Sequence, residues 1–411
     1  MADCVAPAVI IGATEKAGLF ELVCEVWFDL FRSCAGQRSN PLAPSLYSVV
    51  GPISRMPDPH SERPWQSMAA PAPFVVRYLS RAALAEVPAA ESRCVIGVIG
   101  YGAGRPAGLP EACPFAAATL PVAGGGAAFE VWSAPAEARY RRIGPIVAAS
   151  AGELAFGLVE LDEGAGRPLA ALVEGAYLAI FDFLEDAGFS SPIRFWNYLP
   201  EITADENGLE RYRRFNIGRH DAFSARLRLP APPVASAVGG RGGSPLIYFL
   251  AAREPAKAIE NPRQVSAYVY PPAYGPRSPG FSRASLHQAG AAGSLLISGT
   301  ASIVGHESRH KGDPAAQVAE TLENIAALVH EAEQAGFPAR HGRWALKIYL
   351  RDPAHLDLAR AGVDAMFGRD CQRIYLQADL CRAELLVEIE ALCLAGDRAS
   401  GSRPAGRQSA R

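Results

Sequence analysis

The sequence predicts an α+β protein of two similar halves packed together, each a mixed sheet with a helix-covered face. Three observations carry this. A strand–helix–strand order occurs twice, each of the two helices starts at a proline and stops at Ala-Gly-Phe, and a 411-residue chain with 49% hydrophobic residues can bury a sizeable core.

In the first copy, residues 154–161 read as a strand and 168–186 carry apolar residues at helical spacing. Ala187-Gly188-Phe189 stops that helix, and 193–199 form the next strand. In the second copy, 295–302 are the strand, 314–334 the amphipathic helix, Ala335-Gly336-Phe337 its stop, and 344–350 the following strand. A further helix over 354–367 and paired strands at 374–380 and 384–392 complete this half. The halves are expected over 68–230 and 231–395. Each sheet then has one face under helices and one bare, and packing the bare faces together hides both. A cleft between such units is where a small molecule binds.

The ends of the chain read differently. Residues 1–67, with a Ser/Pro/His-rich run over 41–65 and a helix near 18–31, read as a poorly ordered appendage or an over-extended start. The Gly/Ser/Arg-rich stretch 396–411 has no periodicity and reads as a disordered tail. Eight scattered cysteines without a CxxC pair argue against a zinc ribbon or a disulfide framework and fit a reducing cytoplasm. A formal charge of −2 gives no basic field for nucleic acid. No window has membrane-spanning length, and Val9-Ile10-Ile11 is too short for a signal core. The expectation is a soluble cytoplasmic enzyme for a small molecule, with neither nucleic acid nor membrane as partner. Its oligomeric state is not set by the sequence, and a monomer is the working expectation.

Polar residues that suit a site gather in the middle of the chain: Phe215-Asn216-Ile217-Gly218-Arg219-His220, then Arg263 within an Asn-Pro-Arg-Gln run, Tyr268, and Tyr274-Gly275-Pro276-Arg277. Arginine offers a planar fork that matches a carboxylate, and tyrosine a hydrogen-bonding tip on an apolar plate. The set suits a small, doubly anionic, ring-shaped ligand; taken singly, each arginine is as readily a surface residue or the structural partner of Glu210 or Glu260. On the predicted strand 384–392, alternation places Glu384, Glu388 and Glu390 on one face. Turned into a cleft, such crowding raises one carboxyl's pKa and keeps it protonated as a general acid. Turned outward, it is an ordinary solvated face.

The run NPRQVSAY-x-Y-x3-YGPRSP-x-FSRA, then LLISGTASIVGHE, then LQADLCRAELLVEIE closely resembles the chorismatase family, in order and over roughly residues 90–394. The resemblance implies halves similar to the YjgF/RidA and small chorismate mutase folds, with chorismate between them and no cofactor or metal. It implies that Arg219 and Arg277 hold the carboxylates, that Tyr268 and Tyr274 line the pocket, that Arg263 is a weaker candidate for the same work, and that Glu388 protonates the enolpyruvyl methylene. Gly299 and Cys381 match the glycine and cysteine of the branch that forms 3-hydroxybenzoate, sometimes with 4-hydroxybenzoate, where the hydrolytic branch tends to carry alanine. The competing readings are that hydrolytic branch, an enamine or imine deaminase of the RidA type, and a sensor that binds without turnover.

Two motifs point elsewhere. His306-Glu307-Ser308-Arg309-His310 fits the H-E-x-x-H zinc pattern, but it lies between Gly305 and Gly312-Asp313-Pro314 and lacks the apolar helix that would align both rings. Gly100-Tyr-Gly102-Ala-Gly104 is a partial dinucleotide fingerprint that Arg105-Pro106 turns into a loop.

Overall fold

The computed structural model describes residues 73–289 and 292–395, so the predicted appendage and tail lie outside the described residues. Three sheets form. The first has four strands, β1 (Val75–Leu79), β2 (Val95–Tyr101), β3 (Phe115–Ala118) and β4 (Phe129–Ser133), in the order β1-β4-β2-β3. The second contains β5 (Arg139–Ile143), β6 (Ile146–Ala151), β7 (Leu154–Glu160), β8 (Ser191–Tyr198), β9 (Val234–Gly239) and β10 (Leu246–Ala252), ordered β9-β8-β10-β7-β6-β5. The third contains β11 (Lys257–Ile259), β12 (Ala284–Ala289), β13 (Ala292–Ala301), β14 (Arg343–Leu350), β15 (Gln372–Gln377) and β16 (Val387–Leu394), ordered β11-β12-β13-β16-β14-β15.

Helices α1 (Leu169–Asp186) and α2 (Arg211–Arg226) cover the outer face of the second sheet, while α3 (Pro314–Gln334) and α4 (Leu356–Phe367) cover that of the third. The repeated Ala-Gly-Phe stop has one physical basis. At the end of α1, Gly188 takes φ +72°, its N–H reaches the Glu185 carbonyl, and Phe189 N donates to the Leu184 carbonyl at 2.8 Å. At the end of α3, Gly336 takes φ +91° and Phe337 N donates to the Ala332 carbonyl at 3.0 Å. Both are left-handed glycine caps in which the following phenylalanine is buried. At its other end α3 is capped by Asp313, whose side chain accepts from Ala316 N ahead of Pro314.

Three expectations are corrected. Residues 234–252 hydrogen-bond into the second sheet, so the chain passes between sheets after Ala252 rather than at residue 231. The predicted strand 374–380 is split: β15 ends at Gln377, and Asp379–Leu380 crosses to pair antiparallel with β9 of the second sheet. The segment 211–226, read only as polar, is α2; its apolar periodicity is masked by arginines, and it packs so closely on α1 that a methyl on Gly218 would lie 2.1 Å from the Ala170 carbonyl oxygen.

As predicted, the bare faces meet. The inner core combines Val76 and Trp132 of the first sheet, Phe156 and Trp196 of the second, and Leu296, Ala345 and Leu392 of the third. Within it lies an ionic node to which all three sheets contribute. Lys347 on β14 contacts Glu130 of β4 at 2.9 Å and Glu390 of β16 at 2.8 Å, and Arg194 on β8 contacts Glu390 at 2.9 Å. Trp132 Nε1 and the Tyr101 hydroxyl donate to Glu130, and Lys347 also donates to the Tyr248 hydroxyl at 2.6 Å. Two carboxylates balance two cations, and the attached hydrogen bonds offset the loss of water.

Removing one partner strands the others. Lys347→Met is expected to lower unfolding stability by about 3–5 kcal/mol, read from denaturant midpoints; a change below about 1 kcal/mol would show that the node contributes little.

Candidate active site

Strand β16 is buried along its whole length, and alternation sorts its side chains. Val387, Ile389, Ala391 and Cys393 pack with the core beneath α3 and α4, whereas Leu392 and Leu394 join the core between the sheets. Glu388 and Glu390 share that inner side. The acidic pair therefore points inward. The predicted third member does not join it, because β16 starts at Val387 and the preceding turn is held by Arg351, which donates to the carbonyls of Leu385 at 2.8 Å and Arg382 at 3.0 Å. Glu384 sits in that turn, one-third exposed and 3.9 Å from Lys311.

The two inward carboxyls have opposite fates. Glu390 accepts from Ser236 Oγ at 2.6 Å, Trp196 Nε1 at 2.7 Å and the Tyr349 hydroxyl at 3.1 Å, besides its pairs with Lys347 and Arg194. Burial works to raise its pKa, but Lys347 and then Arg194 outweigh it and hold the group at about 2. Glu388, 4% exposed, accepts no hydrogen bond from any described residue. Burial first, and the Glu390 charge second, push its carboxyl up to about 8 against the pull of Arg194. A neutral acid thus sits beside a permanent anion.

Gly299 and Cys381 both come to Glu388. Gly299 lies where the β13–β16 register shifts between Ile297 and Thr300, and its N–H donates to Ser236 Oγ at 3.0 Å. A methyl there would lie 2.0 Å from Glu388 Oε1, so the missing side chain is what leaves room for the carboxyl. Cys381 follows the crossing strand Asp379–Leu380; burial, and next the Glu388 charge, push its thiol up to about 12, so it acts as a small neutral wall.

From α2, Tyr212 is electrostatically coupled to both Glu388 and Arg219. Arg219 is 1% exposed, donates to Asn216 Oδ1 at 2.9 Å and lies over the Phe215 ring, while its Nε has no partner. Among the described residues no carboxylate pairs with it, which leaves a buried positive charge uncompensated.

Tyr274 packs against Arg382, whose guanidinium carbon is 4.2 Å from the ring centroid, and its hydroxyl donates to the His306 carbonyl at 2.6 Å. Tyr268 and Arg277 are exposed on the same loop, and no described contact ties them to Glu388. The loop is fixed from both sides. Gly275, at φ +136°, comes so close to α2 that a Cβ would be 3.2 Å from Arg213 Cγ. Arg263 binds Asn324 at 2.7 Å, Glu320 at 2.6 Å and Glu323 at 2.9 Å on α3. Arg263 is thus a loop anchor whose terminal nitrogens are committed, and it does not present the free fork expected of a ligand contact.

His306 and His310 lie apart in function: Ile303–Val304 and Glu307–Ser308 form a small hairpin, His306 contacts Tyr274, and His310 contacts Glu320 at 3.1 Å. Two cavities lie near the node. One, of about 20 Å³, is lined by Tyr78, Glu130, Lys347 and Glu390 and has room for about a single water; the other, of about 90 Å³, is lined by Thr119, Tyr198, Pro200 and Gly240. Glu388 lines neither, and lies instead beneath half-buried Gly299, Tyr212 and Cys381. Residues missed from sequence include Arg194, Ser236, Lys347 and Arg382. Lys347 and Arg194 carried a signal, each a cation inside a predicted strand, 344–350 and 193–199.

The family described as "Chorismatase FkbO/Hyg5-like, N-terminal" matches residues 130–251. A 3-hydroxybenzoate synthase of Streptomyces hygroscopicus is 39% identical over 277 residues, covering 64% of this chain and 81% of the relative. A chorismatase of Streptomyces rapamycinicus is 37% identical over 311 residues, covering 72% of this chain and 91% of the relative. A chorismatase crystal structure aligns with a TM-score of 0.69 at 31% identity, over 80% of this chain and 100% of that one.

Gly299→Ala is expected to displace the Glu388 carboxyl, since the new methyl would overlap it. A crystal structure of the variant with that carboxyl in place would refute the contact.

Proposed function

Since the chain belongs to the chorismatase family, we propose that it removes the enolpyruvyl group of chorismate as pyruvate and leaves 3-hydroxybenzoate. The observation that carries this is Glu388: a buried carboxyl that accepts no hydrogen bond from the described residues, which burial and then the Glu390 charge push up to about 8, favouring the neutral acid.

Chorismate is an enol ether with two carboxylates. Proton transfer from Glu388 to the terminal methylene gives an oxocarbenium ion and makes the ether oxygen part of a leaving ketone. The ring carbon–oxygen bond then breaks as pyruvate departs, and the adjacent ring hydroxyl, in the attacking role that water has in the hydrolytic reaction, bonds to that ring carbon and releases its proton. The bond from this oxygen to the carbon that first carried it then breaks, and the oxygen takes a proton back. Loss of a ring proton restores aromaticity and returns one proton to the carboxylate. Chorismate has the summed composition of hydroxybenzoate and pyruvate, so the route is redox-neutral and consumes no water overall.

Arg219 supplies a positive field that no described carboxylate cancels, which suits a substrate carboxylate. Tyr274 and Tyr268 would line the entrance, and Arg277, exposed on the same loop, would close over the second carboxylate. The aromatic product is supported by the resemblance at Gly299 and Cys381 and by the relative named 3-hydroxybenzoate synthase. Among the described residues no helix is long and apolar enough to cross a membrane, in keeping with a cytoplasmic site of action.

Purified protein given chorismate should release pyruvate, read with lactate dehydrogenase, and 3-hydroxybenzoate, read by chromatography that also resolves any 4-hydroxybenzoate; no pyruvate would end the proposal. Glu388→Gln should keep the fold and lose about 10²–10⁴-fold in kcat, and a fully active variant would move the acid role elsewhere. Because the protonated form is the active one, kcat/KM should fall as pH rises through about 8. A profile flat up to about pH 9 would contradict a glutamic acid as proton donor.

A further inference from the structure

We propose that Glu390 is a positioning residue for this reaction: its carboxylate, held by Lys347, Arg194 and Ser236 on the same buried strand face as Glu388, is a fixed negative charge that adds to burial in tuning the proton donor. The inference rests on the reading of Glu388 as the acid, and it assigns the tuning of that acid to a residue outside the reacting group.

The geometry is that of a β-strand. Residues two apart on one strand point to the same side about 7 Å apart, and here both side chains are about 4% exposed. Lys347 lies opposite Glu390 in the β14–β16 register, and Tyr349 lies opposite Glu388. The lysine therefore holds the lower carboxylate and reaches back to Glu130, while the residue facing the acid is an uncharged phenol. Among the described residues, the Glu390 carboxylate receives five donors and the Glu388 carboxyl none. One carboxylate is saturated so that its neighbour meets its charge at close range.

The groups around Glu388 are accounted for from every packed element. Arg194 comes from β8, Ser236 from β9, Gly299 from β13, Tyr349 from β14, Tyr212 from α2, and Cys381 from the preceding turn, with Arg382 acting on Cys381. Of these, Arg194 is the cation that acts on Glu388 itself, and Glu390 stands between them, holding Arg194 at 2.9 Å. Ser236 completes the arrangement, donating to Glu390 and accepting from Arg194 at 2.8 Å and from Gly299 N at 3.0 Å. The register shift that makes room for the acid is thereby tied to the anion that tunes it.

The test compares wild type with Glu390→Gln, Glu390→Asp and the charge-balanced Arg194→Gln/Glu390→Gln, which leaves Lys347 paired with Glu130. Glu388 is titrated directly in the unliganded protein by carboxyl carbon NMR, its resonance assigned by its loss in Glu388→Gln, and kcat/KM for pyruvate release is followed against pH. Glu390→Gln should make Glu388 at least about tenfold more acidic and move the descending limb of the profile down with it. Glu390→Asp should restore most of the wild-type midpoint. The double variant should shift in the same direction by less, and it decides the matter if the single variant does not fold. An unchanged Glu388 midpoint in the folded variants would overturn the proposal. The titration needs no turnover, so absence of pyruvate from the wild type would remove the chorismatase reading without touching this result.

Discussion

The structure depends on a lysine that has nowhere to go. Lys347 is 2% exposed in the middle of a strand, and its ammonium is stable there only because Glu130 and Glu390 converge on it from two different sheets. Burial alone would discharge it; the two carboxylates reverse that and raise its pKa. The requirement is geometric as much as electrostatic. A slip of one residue in β14 or β16 would turn the lysine or its partner into the helix-facing core, so the node fixes the register of the third sheet and the approach of the other two.

The same constraint separates the roles of two chemically identical side chains. Glu388 and Glu390 share a strand, a face and a degree of burial, yet one is an anion and the other an acid. The difference lies in what surrounds them: donors and cations converge on Glu390, whereas Glu388 meets a glycine, a thiol and phenol rings. Low polarity near an unpaired carboxyl and a neighbouring charge act in the same direction.

Much of this was legible beforehand, and the reasons differ by element. The helices α1 and α3 and their flanking strands follow from periodicity and from the Ala-Gly-Phe caps, which are local signals. The inward turn of Glu388 and Glu390 was one of two readings, because alternation fixes which residues share a face but not what covers it. Strands were readable before Gly100, at 129–132 and over 374–380, but not the pairing of the first sheet or the crossing of Asp379–Leu380, since both depend on residues far apart in sequence. Arg263 shows the limit at the site: an arginine in a motif is recognisable, but whether its fork is free depends on Glu320 and Glu323, which arrive from a helix some sixty residues later. Ser236 sits in a strand whose sequence gave no sign of the anion it holds.

The strand Asp379–Leu380 has a consequence for how a ligand enters. It leaves the third sheet to bond with β9 of the second, and the chain then returns to its own sheet at Val387, one residue before the acid. The seam beside Glu388 is therefore stitched by backbone hydrogen bonds, and prying the sheets apart would tear the stitch. In the proposed reading, entry of a ligand is then left to the rim, where Tyr268 and Arg277 stand exposed on a loop anchored at Arg263 and Gly275.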